Sequence, residues 1–263
     1  ALGTTQVLAL GTDQIQSLSA AQLAALGSNQ ITALAATQLQ ALTSVQVAGL
    51  GTATLAALTT GQVGVLETTD VVVVSSTNLR AMGSALVAAL GTDQIQALTT
   101  IQTTALWTAQ VAALGTSQIV ALTTAQVSAW GTASVYALTT SGLSAMETAD
   151  LVVLSATQIQ ALSTEQVFGL TTVQVAALTT TQVRALRTTH IAALGTDQIV
   201  ALTTAQVFAL SSAQAVALGT VQVAALETAD LVAMATANIP VLLTLQVAAL
   251  GTAKFIASTE ALE

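Results

Sequence analysis

At 263 residues, with 6% charged and 2% aromatic side chains and a single proline, the chain departs from the composition of an ordinary soluble domain, where charged residues make up roughly a quarter. Its net charge of −8 sets 12 acids against four bases, Arg80, Arg184, Arg187 and Lys254. That excludes a nucleic-acid partner or a polybasic membrane anchor, since both need clustered cations.

No cysteine is present, so there is no disulfide framework to reveal the compartment. Mean hydropathy is +0.78, yet Thr and Gln recur so closely that no apolar run approaches the ~18 residues of a spanning helix. The chain starts in mid-pattern without Met, signal peptide or basic leader, as expected of a mature or excised piece of something longer.

From the N-terminus, Leu2, Leu10, Leu18, Leu26 and Leu34 fall eight apart, and the series runs without insertion to Leu250. Its substitutes are mostly conservative: Val74, Met82, Trp130, Met146 and Met234, with Ser258 at the far end. Written from the residue after Leu, the unit reads [G/T/S]-T-x-Q-[V/I/L]-x-A-L. One continuous octapeptide array of about 33 units, residues 1–263, is the expected organisation.

Val7 and Leu10 are three apart, which strand alternation would send to opposite faces and a helix to one. Tetrads such as Thr59-Thr60-Gly61-Gln62 and Thr123-Thr124-Ala125-Gln126 match a capping box. Gly shares the first position with Thr, which suits a residue that ends one helix and starts the next. One long helix fails on geometry, because eight residues advance ~800° and leave the Leu row drifting ~80° per unit. The expected fold is all-α, a solenoid or superhelix of short helices, each dependent on its neighbours because isolated helices below ~12 residues are marginal. A β-solenoid, with Thr and Val as strand residues and Gln rows as ladders, is the alternative.

A longer rhythm overlies the octad. Leu66-Glu67-Thr68-Thr69-Asp70-Val71 returns as Met146-Glu147-Thr148-Ala149-Asp150-Leu151 and again as Leu226-Glu227-Thr228-Ala229-Asp230-Leu231, 80 residues apart each time. Gly27, Trp107 and Arg187 share a second locus on that spacing, and Asp13 and Asp93 a third. Tandem duplication of a ten-octad cassette explains it; a superhelical turn of ten octads, stacking like sites, is a second reading. Each Glu/Asp pair invites a calcium reading, but hard cations want six to eight oxygens; acids in a helix's first turn are the simpler account.

No residues are expected to be catalytic, to bind a cofactor or to ligate a metal. His190, the one histidine, occupies a Gln position without a neighbouring nucleophile or acid, and no phosphate loop or Gly-x-Ser-x-Gly elbow accompanies the hydroxyls. Trp130 replaces a core Leu and reads as packing, Trp107 sits in the capping position, and Tyr136, Phe168 and Phe208 are scattered. Gln fills 21 of the 33 fourth positions, a regularity that points to an interlocking hydrogen-bond device, because buried amides must be paired. Pro240 and the stretch Ser258-Thr259-Glu260-Ala261-Leu262-Glu263 mark the decay of the pattern, and neither end carries an obvious polar cap.

Stretches such as Leu122-Thr123-Thr124-Ala125-Gln126-Val127 and Leu202-Thr203-Thr204-Ala205-Gln206-Val207 resemble the low-complexity arrays of very long secreted bacterial repeat proteins, the surface adhesins and matrix filaments. Locally, Leu-Thr-x-x-Gln-Val-x-Ala-Leu is also similar to the first helix of transcription-activator-like effector repeats, but the eight-residue unit has no base-reading loop. The first resemblance implies a non-enzymatic structural protein, self-assembling side by side or end to end, outside the cell or on its surface. A binding module offering Thr and Gln rows to a polymer, a glycan or ice is the alternative.

Overall fold

The computed structural model describes residues 3–234 and 238–260, with side chains beyond Gly251 described only at Lys254. Leu2 and the last residues of the decaying tail, Ala261–Glu263, lie outside the described residues. Thirty α-helices and one 3-10 turn, Ile239–Val241, make up the secondary structure, and no strand occurs among the described residues. The β-solenoid alternative is thereby set aside: the aliphatic side chain and the Leu three residues later share one face.

Each octad forms one helix, usually of five or six residues, as in Thr4–Leu8 and Thr12–Ser17. The first position is the N-cap. In Thr59-Thr60-Gly61-Gln62 the cap hydroxyl accepts from the Gln62 N–H at 3.2 Å, and Gln62 Oε1 accepts from the Thr59 N–H at 2.9 Å. Such caps contribute about 1 kcal/mol each. Where Gly stands at the cap, only the return bond from Gln remains, as at Gly91.

The helix closes on a tight turn in which the Leu N–H donates to the aliphatic residue's carbonyl, Leu18 to Ile15 at 3.2 Å. Two extended residues follow, Leu18 (φ −68, ψ 137) and Ser19 (φ −68, ψ 155), and turn the chain into the next helix. None of this needs a left-handed residue. Cap glycines such as Gly3 (φ −77, ψ 164) adopt a backbone open to any amino acid, which is why Thr, Ser, Glu, Trp and Arg replace them. The expectation that Gly serves there to end a helix is corrected accordingly. Gly251 (φ 72) alone has positive φ among the described residues, at the kink within Thr244–Glu260.

The chain forms two compact units, Ala1–Ala137 and Leu138–Glu263. In the first, Ser44–Ala48 packs against Thr68–Val73, and Thr52–Ala56 against Ser76–Ala81; in the second, Thr164–Phe168 packs against Thr188–Ala193. Each helix thus meets the third one along. Side-chain hydrogen bonds between layers join residues 25 to 31 apart, so one turn takes between three and four octads. Asp13 and Asp93, 80 apart within the first unit, are therefore not in adjacent layers.

The fifth position, Ile15, Ile95 or Ile159 for example, is buried from Val7 to Ile239, and the eighth from Leu34 to Met234. Each such side chain contributes about 1.5–3 kcal/mol, whereas a five-residue helix supplies little of its own. Trp130, in an eighth position, is 3% exposed and is part of this core. The seventh position is small because it closes on the preceding layer: a Cβ on Gly49 would stand 2.7 Å from that of Ala20.

Candidate functional site

The fourth-position glutamine is the side chain on which the fold turns. Gln102 accepts from the Thr99 N–H of its own cap through Oε1 at 2.8 Å, while Nε2 donates to the carbonyls of Val71 and Val74 at 2.8 Å each. Those carbonyls lie at the end of the helix Thr68–Val73, where backbone donors run short: from the backbone, Val71 accepts only the closing bond from the Val74 N–H at 3.2 Å. One amide therefore satisfies the start of its own helix and the end of another, 28 and 31 residues earlier. The same arrangement holds at Gln46 and Gln126 in the first unit and at Gln174 and Gln206 in the second. All five are buried, and a buried amide so paired costs little, whereas an unpaired one costs roughly 1–3 kcal/mol. The interlocking device read from the sequence is what the structure contains. From Gln38 onward the described fourth-position glutamines are buried, whereas Gln6, Gln14 and Gln22 are exposed.

Substitutes at this position follow the same logic. Asn78 keeps the bond to the Leu50 carbonyl at 2.8 Å, and Lys254 places its ammonium on the carbonyls of Ala224 and Leu226 at 2.8 and 2.9 Å. His190 is fully buried; its Nδ1 accepts from the Arg187 N–H at 3.3 Å and Nε2 lies 2.9 Å from the Leu162 carbonyl. Burial first, and the Arg187 guanidinium second, hold its pKa below the usual imidazole range. His190 thus serves as a surrogate latch.

Aspartate fits less well, being acceptor-only when ionised. Asp70 is buried and takes a hydrogen bond from the Ser44 hydroxyl at 3.2 Å. Burial pushes the Asp70 and Asp230 carboxyls above their usual range, opposed by bonds from Ser44 and Thr204 respectively. In the first Glu/Asp pair Glu67 is exposed while Asp70 is buried, so the two do not present a common face to a cation.

Outward, the octad shows its second, third and sixth positions. Large apolar side chains stand there in water, including Val45, Ile101, Val173, Phe168 and Phe208, each more than 60% exposed. Trp107 is also exposed, and the Arg80 guanidinium lies 4.7 Å from its ring centre, a pairing worth about 0.5–1 kcal/mol at such a site. The sixth position meets the cap 27 residues on: Arg80 meets Trp107, and Phe168 meets Gly195. Sequence reading did not single out these contacts, because nothing local to either residue announces them. No described helix is long and apolar enough to cross a membrane.

No curated protein matches the chain. The ALTTAQ repeat family matches residues 63–100, 102–132, 143–180, 180–212, 200–227 and 223–257. Those segments take in Gln-latched octads of both units, together with His190 and the aspartate-bearing variants. The chain is a repeat protein belonging to the ALTTAQ repeat family.

Proposed function

We propose that this chain is a structural, self-assembling segment of an extracellular filament, sheath or adhesin stalk. The observation that carries the reading is the rank of large apolar side chains held in water at the third position of the octad: Val45, Ile101, Val173, Val221 and Leu245 are each more than 60% exposed. Patches of that kind mark association sites.

Sedimentation and negative-stain microscopy test this. Concentration-dependent oligomers or fibres are expected at micromolar protein, reduced when the exposed Val45, Ile101 and Val173 are changed together to Glu, whose charge opposes apolar association. A monodisperse monomer throughout that range sinks the reading.

A further inference from the structure

The second unit carries an outer recess of about 440 Å³ between adjacent turns, lined by Phe168, Thr171, Thr172, Gly195, Thr196 and Asp197, with Leu170 and Gln198 at its base. We infer that this recess is a binding site for a neutral glycan. A sugar ring lies against the Phe168 face, its hydroxyls donate to the Asp197 carboxylate, and the hydroxyls of Thr172 and Thr196 bond to its edge.

Three observations support the assignment. Phe168 is 62% exposed, so its ring gains little from the fold and keeps an open apolar face, the kind of surface that stacks on flat ligands. Gly195 keeps the space open: a Cβ there would already stand 3.5 Å from Phe168 Cε2, and the larger caps found elsewhere, such as Trp107 or Arg187, would fill it. The polar groups are also uncommitted. The Thr171 hydroxyl caps Gln174 at 3.1 Å, but Thr172, Thr196 and Asp197 are exposed and their side chains make no hydrogen bond among the described residues.

The chemistry then selects the ligand class. A free carboxylate only accepts, so the ligand must bring donors. None of the lining residues is cationic and the chain is acidic, which disfavours phosphate, sulfate and nucleic acid. The volume falls within the range of small-ligand sites. A molecule with one apolar face and a rim of hydroxyl donors, as a neutral pyranose has, satisfies every term.

The first unit supplies an internal control. A recess of about 560 Å³ there is framed by Gly91, Thr92, Asp93 and Gln94, the same tetrad as Gly195-Thr196-Asp197-Gln198. Gly64 takes the place of Phe168 and Glu67 that of Thr171. With no aromatic wall, that recess lacks the platform. The inference does not rest on self-association, since the lining comes entirely from a single chain.

The test is a titration of the whole chain with neutral oligosaccharides of the glucan, mannan and N-acetylglucosamine types, read by saturation-transfer NMR and calorimetry, with a sulfated oligosaccharide alongside. At least one neutral series is expected to bind. Phe168→Ala should weaken it about tenfold or more, Phe168→Trp should preserve or tighten it, and Asp197→Asn should weaken it about threefold or more. Phe208→Ala is expected to leave it unchanged. All these side chains are exposed, so unchanged far-UV spectra keep the variants comparable. No binding of any neutral series up to about 20 mM, a preference for the sulfated sugar, or undiminished affinity in Phe168→Ala overturns the inference.

Discussion

In the first unit, the octads Gly11–Leu18 and Gly91–Leu98 share the tetrad Gly-Thr-Asp-Gln, yet only the second has a full layer beneath it. Ile15 and Ile95 are equally buried at 0% exposure. Gln14 is exposed and bonds only to the Gly11 N–H at 2.9 Å, whereas Gln94 is buried and also reaches Val63 and Leu66. Leu18 is half-buried where Leu98 is buried. The fifth position is therefore satisfied by the coil itself, while the fourth and eighth depend on the layer before. One eight-residue word holds two kinds of stabilising residue, separable only by what lies behind them.

The comparison breaks most severely at the fifth position. Ile15→Ala and Ile95→Ala should each cost about 2–5 kcal/mol, and about equally, in amide exchange around the substituted turn. A local probe suits a repeat array, whose unfolding need not be all-or-none. A much smaller cost at Ile15 would show that the first turn is not packed as described.

At the fourth position the two regions should part. Gln102→Ala strands the Val74 carbonyl and the Thr99 N–H and leaves the Val71 carbonyl only its bond from the Val74 N–H, a loss of about 2–3 kcal/mol. Gln14→Ala forfeits only a cap bond, about 0.5–1 kcal/mol. Equal losses, again by exchange, would mean that the inter-layer bonds carry no net stability.

Asp70→Gln sharpens the point from the other side, since it restores donors aimed 28 and 31 residues back. A gain of about 1 kcal/mol is expected, read as a higher midpoint in thermal denaturation.

The smallest effect is on pH dependence. The imidazole of His190 titrates lower when folded, so the unfolded chain binds the proton more readily; that stability is present above about pH 6.5 and is lost as pH falls below it. Asp70 and Asp230 have the opposite sign: their raised pKa values favour the fold below about pH 3.8, and the advantage is lost as pH rises through the folded value. His190→Gln should flatten the melting curve between pH 6.5 and 5.

Much of this was legible in the sequence. The three-residue gap between Val7 and Leu10, the Thr59/Gln62 tetrad and the Trp130 substitution each report a local rule, and the helix, cap and core follow from them. The pairing of Gln was legible too, since a repeated amide in an apolar array has to find partners. The layer period was not. It depends on the φ and ψ of the two extended residues at each corner, such as Leu18 and Ser19, and no residue type fixes those angles closely. Likeness between Glu67, Glu147 and Glu227 says that the segments are akin, not that they touch. The candidate recess was invisible for the same reason: Phe168 and Gly195 become neighbours only once a turn is known to take between three and four octads.

The amide donors all look backward along the chain, from Gln38 to Val7 and Leu10, and from Gln246 to Ala215 and Leu218. A ribosome emits those residues in the same order. Every newly made coil therefore finds its acceptors already in place and need not wait for anything downstream, so the array can close vectorially as it is synthesised, each finished coil acting as template for the one behind it.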